Sequence, residues 1–509
     1  MSLKDWNFNV SPDDEHNAKL ISNVHPKDWV NPEPESMYNL VVIGAGTGGL
    51  ISAIGAASLG GKVALVERHL MGGDCLNVGC VPSKALIRSS RAAHQMVNAP
   101  AFGLKGRNIE ASEFTDVMAR LRSIRAGISK NDSAYRYNKE GVQVFFGEAR
   151  FVDARTVSVD GKLLRFRKAI IATGARAVSP DIPGLAAAGF LTNETIFNLT
   201  TLPARLAIIG GGPIGCEMAQ AFRRLGADVT IIESTRLLPR EDPEASALLT
   251  EVFNHERINM LLPAKPLKVE AGTYGKRITV QAADGEKVIE VDEILIGAGR
   301  KPNVEGMGLE GAGVEYDLRF GVKVDDFLRT SNPAVFAVGD VCMAWKFTHA
   351  ADAAARIAIQ NALFGGKKRL SSLNMPWCTY TDPEIAHVGM YESEAKSQGI
   401  ETGSYKVDMA DNDRAVADGE TKGFVKITVR KGSDKIIGAT IVAAHAGDLI
   451  GEISVAMAGK LGLKALNEII HPYPTQADVI RRVAAAYNRT RLTPGVARLL
   501  RWLLRRQIR

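Results

Sequence analysis

Long apolar runs that end in glycine-rich turns recur along the chain. From Tyr38 an apolar run leads into a glycine cluster, a helix of small residues follows, and a second apolar run ends at Glu67. This order predicts a strand, a helix and a parallel strand, which together form a βαβ unit. The same order returns from Leu206 to Glu233. The repeat therefore predicts two nucleotide-binding units in one chain.

Further strand signals follow these units. Alternating positions between Phe145 and Ile171 predict strands, and residues 291–303 and 335–340 each predict a strand with its loop. Residues 372–488 mix strand-like and helical stretches without a phosphate-binding loop. The predicted fold class is α/β, with two Rossmann-like dinucleotide-binding domains and a C-terminal α+β domain.

The first 36 residues have a different character. They contain four prolines and an acidic cluster, and we predict an irregular extension. Trp6, Phe8 and Trp29 are the residues expected to pack this extension against the rest of the protein.

Composition and charge narrow the class of protein. The chain has 509 residues, of which 46% are hydrophobic and 23% charged, and it has five cysteines, as expected for a globular protein in a reducing compartment. The net charge is +7, but residues 481–509 contain nine arginines and no Lys, Asp or Glu, which leaves −2 for the remainder. We therefore predict no nucleic-acid partner. Because neither a membrane-spanning run nor a signal peptide is evident, we predict a cytoplasmic location.

The first glycine cluster fits the dinucleotide-binding motif G-x-G-x-x-G. Gly44 permits the tight turn, Gly46 allows the backbone to approach a pyrophosphate, and Gly49 lets the helix pack on the strand. Glu67 stands where a carboxylate can accept hydrogen bonds from a ribose. Together these features predict a dinucleotide site.

The second cluster repeats the motif with Gly210, Gly212 and Gly215, and Glu233 is its acidic residue. A carboxylate at this place accepts hydrogen bonds from a free ribose diol and repels a 2′-phosphate, which favours NADH over NADPH. Arg236 could instead receive that phosphate, so NADPH stays an alternative.

Two of the five cysteines, Cys75 and Cys80, lie in the stretch GGDCLNVGCVPSK. On an ideal helix, residues five apart have Cα atoms about 8.6 Å apart, beyond the ~4.4 to 6.8 Å that a disulfide bridges. A bridge would need a distorted turn, which Gly79 makes less costly. Because strained disulfides are easier to reduce, the spacing favours a redox pair over a structural bridge. A flavin at one nucleotide site and a nicotinamide at the other would let hydride reach this pair.

These motifs together resemble the class I pyridine nucleotide-disulfide oxidoreductases, the family of dihydrolipoamide dehydrogenase, glutathione reductase and mercuric reductase. The resemblance spans about residues 38–490 and includes ATG, GGGPIGCE, GAGRKPN, AVGD and TDPEIAHVG in the family's order. It implies FAD, NADH or NADPH as electron donor, and a homodimer. The predicted domains are an N-terminal extension (1–36), the FAD-binding domain in two parts (37–180 and 299–370), the NAD(P)-binding domain (181–298), the dimerisation domain (371–489) and a basic amphipathic tail (490–509).

The resemblance also assigns roles to residues. Cys75 would be the thiol that meets the substrate, and Cys80 the thiol against the flavin. Lys84, one helical turn past Cys80, would stabilise a thiolate and the reduced flavin and pair with Glu217, and Asp340 would bind the ribityl chain of FAD. The matched motifs add Gly73, Thr173 and Gly174 as FAD-binding residues and Gly299 as an NAD(P)-binding residue.

One segment departs from the disulfide reductases, which usually have H-P-T-x-x-E, with a histidine acid/base that is supplied across the dimer interface and oriented by the glutamate. The chain has IIHPYPTQADVI, which places Tyr473 at the histidine position and Asp478 at the glutamate position. Tyrosine, with an ordinary pKa of ~10, is a poor proton shuttle at neutral pH. His471 is the alternative acid/base.

The tyrosine and the stretch REDPE resemble the mercuric reductase-like branch. Reduction of a soft metal ion requires thiolates and electrons but no protonation of a leaving thiol. The chain has no cysteine after Cys378, although mercuric reductases usually have a C-terminal cysteine pair. We expect a metal-ion reductase in which Cys75 and Cys80 are transient ligands of the substrate metal. The alternatives are a dihydrolipoamide dehydrogenase-like disulfide reductase and a flavin diaphorase or quinone reductase.

The last residues, RLTPGVARLLRWLLRRQIR, place leucines and a tryptophan among arginines. The preferred interpretation is a helix docked on the dimer with a solvated basic face. The alternative is an amphipathic helix in weak contact with an anionic membrane surface.

Overall fold

The protein is described by a computed structural model that covers residues 8–110, 112–272 and 275–508. Trp6 lies outside these residues. The chain forms two compact units. The first comprises the described residues up to Arg236 together with Glu256–Leu373, and the second comprises Leu237–His255 and the described residues from Asn374 onward.

The helices and strands of both units are numbered in chain order. The α-helices are α1 (Glu15–Val24), α2 (Thr47–Ser58), α3 (Gly73–Asn77), α4 (Cys80–Val97), α5 (Glu113–Ser129), α6 (Ala134–Lys139), α7 (Leu185–Ala188), α8 (Pro213–Arg224), α9 (Pro243–His255), α10 (Thr348–Phe364), α11 (Glu392–Ser397), α12 (Asp413–Asp418), α13 (Ala446–Ala458), α14 (Leu463–Glu468), α15 (Asp478–Thr490) and α16 (Pro494–Gln507). The strands are β1 (Tyr38–Ile43), β2 (Val63–Glu67), β3 (Val142–Phe146), β4 (Ala149–Asp153), β5 (Thr156–Val159), β6 (Lys162–Ile171), β7 (Ala175–Ala177), β8 (Arg205–Ile209), β9 (Asp228–Ile232), β10 (Asn259–Leu261), β11 (Ala264–Gly272), β12 (Gly275–Ala282), β13 (Gly285–Val291), β14 (Glu293–Ile296), β15 (Arg300–Pro302), β16 (Tyr316–Asp317), β17 (Gly321–Val322), β18 (Val335–Ala337), β19 (Pro376–Thr379), β20 (Glu384–Gly389), β21 (Thr402–Asp408), β22 (Phe424–Arg430) and β23 (Ile436–Ala443).

The main sheet of the first unit is parallel at its centre. Strands β3, β2, β1, β6 and β18 pair in this order, all in parallel. Their apolar runs are buried along nearly their whole length, as expected for parallel strands covered on both faces. The N-terminal half of β6 also pairs antiparallel with β5, which pairs with β4.

A second parallel sheet in the same unit is formed by β10, β9, β8 and β14. Helix α8 connects β8 to β9, as α2 connects β1 to β2, so the predicted βαβ repeat is present twice. An antiparallel sheet of β11, β12 and β13 follows within the second repeat.

The N-terminal extension is more ordered than we predicted. It contains α1, whose N-cap residue Asp14 accepts a hydrogen bond from the Asn17 amide. Phe8 and Trp29 are buried, and Trp29 contacts the ring of Phe146 edge-on. The prediction of an irregular segment was wrong for residues 15–24, because a polar side chain caps the helix and Leu20 and Val24 bury its apolar side.

The second unit is built on an antiparallel sheet. Strands β19, β20, β23, β22 and β21 pair in this order, and α13, α14 and α15 contribute to the core beside the sheet. This arrangement confirms the predicted α+β domain. Helix α16 has no buried residue. Among the residues that the structure covers, no helix combines the length and apolar character needed to cross a bilayer.

Candidate active site

The first glycine turn joins β1 to α2 and is closely packed. Gly44 has a φ of +98°, and a Cβ atom on it would lie 2.5 Å from the carbonyl oxygen of Ala172. A Cβ on Gly49 would lie 1.7 Å from the carbonyl oxygen of Gly44. Side chains are therefore excluded at both positions, and the N-terminus of α2 stays open to an anionic group.

Gly46 and Gly73 face each other across this turn. Gly73 has a φ of +57°, and a Cβ on it would lie 2.6 Å from the Cα atom of Gly46. The two residues belong to different segments, since Gly73 begins α3. This close pair of bare backbones fits a pyrophosphate held between a helix N-terminus and a neighbouring loop, as FAD would require.

Glu67 ends β2 and points back at the turn. Its carboxylate accepts hydrogen bonds from the backbone amides of Ala45 at 2.7 Å and His69 at 2.8 Å. The side chain is buried, and this burial raises its pKa above the ordinary value despite the two hydrogen bonds. Glu67 thus supports the turn from within, in addition to the ribose contact predicted from the sequence.

The two cysteines lie on either side of a break between two helices. Cys75 is in α3, which ends at Asn77, and Cys80 is the first residue of α4. Between them, a Cβ on Gly79 would lie 2.7 Å from the carbonyl oxygen of Asp74. The distorted turn predicted from the spacing is therefore present, and only glycine fits it. We call residues 69–80 the redox segment.

The side chains of Cys75 and Cys80 influence the pKa of each other. Hydrogen bonding with Cys80, and then burial, raise the pKa of the Cys75 thiol. The same bond is the largest cause that lowers the pKa of Cys80 to about 6. The Thr348 hydroxyl, 3.3 Å from the Cys80 sulfur, and the charge of Lys84 act in the same direction. Cys80 is thus the member of the pair that is poised to be a thiolate at neutral pH.

Lys84 and Glu217 form an ion pair. The Lys84 Nζ lies 2.8 Å from Glu217 Oε2, and Glu217 is buried. Lys84 is on α4, which carries Cys80, whereas Glu217 is on α8 of the second nucleotide-binding unit. The pair therefore connects the cysteine helix to the helix of the second nucleotide-binding unit.

A half-buried arginine that we did not predict binds two carboxylates of the site. Arg300 forms an ion pair with Asp74 of the redox segment, lies 3.5 Å from Asp340 Oδ2, and donates a hydrogen bond to the carbonyl oxygen of Ala175. Burial alone would lower its pKa, but the two carboxylates outweigh burial and raise it. Arg300 lies in the motif GAGRKPN. Its position, a charged residue after a buried strand, could have identified it as a site residue from the sequence.

The remaining FAD-binding predictions lie around this arginine. Burial raises the pKa of Asp340, although Arg300 opposes the shift. Thr173 donates a hydrogen bond to the carbonyl oxygen of Asn303 at 2.7 Å, and Gly174 follows with a φ of +68°. These residues lie at the carboxyl ends of β6 and β18, where open parallel sheets bind ligands.

The second glycine turn is less enclosed. Gly210 has a φ of +112°, and a Cβ on Gly215 would lie 2.0 Å from the Gly210 carbonyl oxygen. A Cβ on Gly212, or on Gly299 beside the turn, would meet no atom within 4 Å. Glu233 accepts a hydrogen bond from the Gly211 amide at 2.9 Å. The turn retains the tight geometry but leaves its outer side open.

A small pocket lies next to Cys75. It has a volume of about 180 Å³, and its lining includes Thr47, Leu50, Cys75, Asp132 and Tyr137. Burial raises the pKa of Asp132, and the carboxylate in turn contributes to the raised pKa of Cys75. The pocket offers an approach to the Cys75 sulfur.

The predicted acid/base residues are in the second compact unit, which contains the antiparallel sheet. Tyr473 is 75% exposed, whereas the side chain of His471 is 6% exposed and its Nε2 lies 3.0 Å from Glu452 Oε1. The Asp478 carboxylate accepts hydrogen bonds from Arg481 at 2.8 Å and Arg482 at 2.7 Å. Within the described residues, Asp478 makes no hydrogen bond to Tyr473, so the structure does not bring this predicted pair together.

Two βαβ nucleotide units and a hydrogen-bonded cysteine pair define a flavin- and nicotinamide-dependent dithiol oxidoreductase. The chain belongs to the pyridine nucleotide-disulphide oxidoreductase family, whose sequence profile matches residues 38–355. The profile of the family's dimerisation domain matches residues 375–484, which supports a homodimer. Members of this family use FAD and NAD(P)H, so the predicted cofactors are confirmed.

Individual relatives divide between two activities. The chain is 33% identical over 467 residues to a mercuric reductase of Bacillus cereus, covering 90% of this chain and 73% of that protein. It is 34% identical over 455 residues to a dihydrolipoyl dehydrogenase of Geobacillus stearothermophilus, covering 87% and 95%.

A solved structure with a similar fold is the Cu(II) complex of the HOCl-induced flavoprotein disulfide reductase RclA from Escherichia coli. Its TM-score is 0.77 at 25% identity, and the similarity covers 89% of this chain and all of that chain (100%).

Proposed function

We propose that this FAD-dependent oxidoreductase uses NAD(P)H to reduce a soft metal ion such as Hg(II) through the Cys75–Cys80 pair. The observation that carries the proposal is which side chains are exposed in residues 471–473. The histidine of this segment is buried against Glu452, and the exposed side chain is Tyr473. In the family resemblance Tyr473 replaces the histidine that serves as acid/base, and a tyrosine in that role suits an acceptor that needs no proton.

Different residues of this chain would bind the cofactor and stabilise the thiolate. FAD, when bound, accepts hydride from the nicotinamide and makes an electron pair available to the disulfide. Gly44, Gly46, Gly49 and Gly73 would hold its pyrophosphate, and Asp340 its ribityl chain. Lys84 favours the thiolate of Cys80, with Glu217 as its partner.

The reduced pair would bind the metal ion directly. Two sulfur ligands suit soft cations, and Cys75 borders the pocket through which the ion would arrive. Overall, NAD(P)H + Hg(II) gives NAD(P)+ + H+ + Hg(0), so the nicotinamide loses two electrons and one proton and the metal gains both electrons. The RclA protein of similar fold forms a Cu(II) complex, which makes Cu(II) a second ion to test.

The alternative is a dihydrolipoamide dehydrogenase-like disulfide reductase. Its support is the similarity to dihydrolipoyl dehydrogenases, at 34% identity. This activity needs a proton for the leaving thiol, and His471 or solvent would have to supply it.

An anaerobic turnover screen separates the two. Purified holoenzyme is given NADH or NADPH with Hg(II), Cu(II), lipoamide or glutathione disulfide, and nicotinamide oxidation is followed. We expect oxidation with a metal ion and little with either disulfide, and we expect NADH to be preferred because Glu233 faces the second turn. Lipoamide turnover that is lost in His471→Ala, with no metal-dependent oxidation, would replace our proposal by the alternative.

We also propose that α16 makes weak contact with an anionic membrane surface. Arg498, Arg501 and Arg505 lie on one face of the helix at helical spacing, and the leucines lie on the opposite face. Leu500 and Leu503 are 45% and 43% exposed, so the unit itself does not cover this apolar face. A basic helix with an open apolar face is suited to anionic lipid.

Vesicle co-sedimentation tests this contact against docking on the dimer. We expect the full chain to bind phosphatidylcholine vesicles that contain phosphatidylglycerol at least about tenfold better than phosphatidylcholine vesicles, because each arginine near such a surface contributes about 1 kcal/mol. The double variant Leu500→Glu, Leu503→Glu should lose binding, while Val288→Glu, a change at another exposed apolar residue, should not. If the double variant instead dissociates the dimer and vesicles are never bound, α16 docks on the dimer. A cytoplasmic location stays a prediction.

A further inference from the structure

The extension before the first nucleotide unit contacts the redox segment. The family profile begins at residue 38, so residues 8–36, including α1, precede the matched region. The contacts of α1 and of the residues that follow it fall at both ends of α3, the short helix that carries Cys75.

The first set of contacts lies just before α3. The backbone amide of Met71 donates to the carbonyl oxygen of Val24 at 3.1 Å, and Nδ1 of His25 is hydrogen-bonded to the carbonyl oxygen of His69. The His25 ring stacks on Phe146 with centroids 4.0 Å apart. The C-terminal end of α1 is therefore joined to the start of the redox segment by two hydrogen bonds.

The second set lies at the end of α3 and runs through a buried arginine. Arg125 donates from Nη2 to Asn17 Oδ1 at 2.7 Å and from Nη1 to the carbonyl oxygen of Asn77 at 2.8 Å. The Asn77 amide group donates to the carbonyl oxygen of Gly73 at 2.9 Å. Asn17, Arg125 and Asn77 are each at most 5% exposed. A buried guanidinium is costly unless its donors are satisfied, and Asn17 supplies one acceptor.

The start of α1 is held as well. Asp14 caps the helix and forms an ion pair with Arg122 at 2.5 Å, and Arg122 is one turn before Arg125 on α5. The helix that supplies Asn17 is thus fixed to the same helix, α5, that supplies the arginine.

We propose that α1 is a positioning element for Cys75, with Asn17 acting through Arg125 to hold the end of α3 in place. The proposal rests on the redox pair of the proposed function, but not on the identity of the acceptor. Its physical basis is that Cys75 lies between the two sets of contacts, two residues before Asn77 and four after Met71, so that both ends of its short helix are restrained.

The measurable consequence is at Cys80. Its thiolate is stabilised by the hydrogen bond from Cys75, and a loosened α3 weakens that bond. The other groups around the pair are Lys84, Glu217, Thr348 and Asp132, and none of them belongs to the extension. A change in α1 that shifts the titration of Cys80 therefore acts through position.

The experiment titrates the long-wavelength thiolate-to-flavin absorbance of the reduced holoenzyme against pH. Asn17→Leu removes the acceptor for Arg125, and we expect the midpoint to rise by about half to one pH unit, since a weaker hydrogen bond from Cys75 removes part of the stabilisation of the Cys80 thiolate. Asn17→Asp keeps an acceptor oxygen for Arg125 but loses the donor to the Pro12 carbonyl oxygen, and its midpoint should stay near that of the wild type. Glu35→Gln removes the ion pair between the extension and Lys62, away from the redox segment, and is the matched control.

Equal midpoints in Asn17→Leu and the wild type would overturn the proposal, and so would a shift as large in Glu35→Gln. If Asn17→Leu does not fold, Asp14→Asn gives the test, because it retains a capping oxygen for the Asn17 amide and loses both the charge and the second oxygen that bind Arg122. A smaller upward shift in that variant supports the proposal, and no shift overturns it. A wild type without any thiolate band would instead contradict the redox pair itself, so the two failures are distinguishable.

Discussion

The two glycine turns share one construction. In each, a glutamate at or just after the end of the second strand accepts a hydrogen bond from a backbone amide in the turn, from Ala45 to Glu67 and from Gly211 to Glu233. In each, a Cβ atom on the third glycine would lie 2.0 Å or less from the carbonyl oxygen of the first. The internal geometry of a dinucleotide turn is thus the same at both sites, whatever surrounds it.

The surroundings differ. The first turn faces Gly73 of the redox segment, and its glutamate is buried with a raised pKa. The second turn is open around Gly212, and the pKa of Glu233 is lowered, because the hydrogen bonds from Gly211, Ser234 and Thr235 outweigh burial. The enclosed turn suits a cofactor that stays bound, and the open turn suits a nucleotide that exchanges at every cycle. Four predictions test this contrast.

The largest effect is expected when the cysteine pair is broken and both turns are left intact. Cys75→Ser should lower reduction of the metal or disulfide acceptor roughly a thousandfold or more, because no dithiol can form. NAD(P)H-dependent reduction of a dye should continue, since both nucleotide sites remain. Steady-state assays with both acceptors measure this, with Cys378→Ser as the control. Survival of metal or disulfide reduction in Cys75→Ser would place that chemistry outside the cysteine pair and favour a diaphorase, whereas loss of dye reduction would mean that the substitution disturbs the nucleotide sites.

The next effect comes from placing an alanine in each turn. Gly73→Ala puts a Cβ 2.6 Å from Gly46 at a positive φ, so we expect the flavin content of the purified protein to fall about tenfold. Gly212→Ala meets no atom within 4 Å and should keep its flavin. The ratio of flavin absorbance to protein absorbance reports both. Similar flavin loss in the two variants would mean that the two turns do not differ in enclosure.

A smaller effect is expected for nicotinamide preference. Glu233→Gln removes the charge beside the open turn, and the KM for NADH should rise about tenfold while that for NADPH changes little. Glu67→Gln, the corresponding change at the first turn, should leave the ratio of the two KM values unchanged. Initial rates over a range of each nucleotide measure the ratio. An unchanged ratio in Glu233→Gln would assign the preference to another residue, with Arg236 the first to test.

The smallest effect is expected in stability, to which Glu67 and Glu233 should contribute with opposite dependence on pH. The folded-state pKa of Glu67 lies above the ordinary value of 4.5, so its contribution to stability is greatest below pH 4.5 and falls as the pH rises toward the folded value. The folded-state pKa of Glu233 lies below 4.5, so its contribution is present above pH 4.5 and is lost as the pH falls through the folded value. The Tm of the wild type minus that of each glutamine variant should therefore change by a few degrees in opposite directions between about pH 4 and about pH 7. Parallel changes would contradict the contrast between the two carboxylates.

Local patterns in the sequence predicted much of this site. The glycines of both turns, the break between Cys75 and Cys80, and Lys84 one turn beyond Cys80 all depend on residues close together in the chain. Helical and strand periodicity and glycine geometry are sufficient to place such residues. The pairing of Lys84 with Glu217 came from family resemblance, and the contact between them is present at 2.8 Å.

Contacts between distant parts of the chain were not predictable in this way. Arg125 and Asn17 are 108 residues apart, and Arg300 and Asp74 are 226 apart, so no local pattern links them. Asp478 was placed beside Tyr473 by alignment, but two arginines one turn further along α15 bind its carboxylate. A charged side chain bonds with the nearest complementary group, and alignment alone does not show that competitor.

The strand order of the main sheet determines when that sheet can be completed during synthesis of the chain. Its edge strand β18 pairs with β6, and every strand of the second parallel sheet lies between these two in the chain. The ribosome therefore synthesises all four strands of the second parallel sheet before it synthesises β18, the last strand of the main sheet. A nascent chain that ends before Val335 would contain every strand of the sheet that holds the second glycine turn. The main sheet, which holds the first glycine turn, would still lack its edge strand β18.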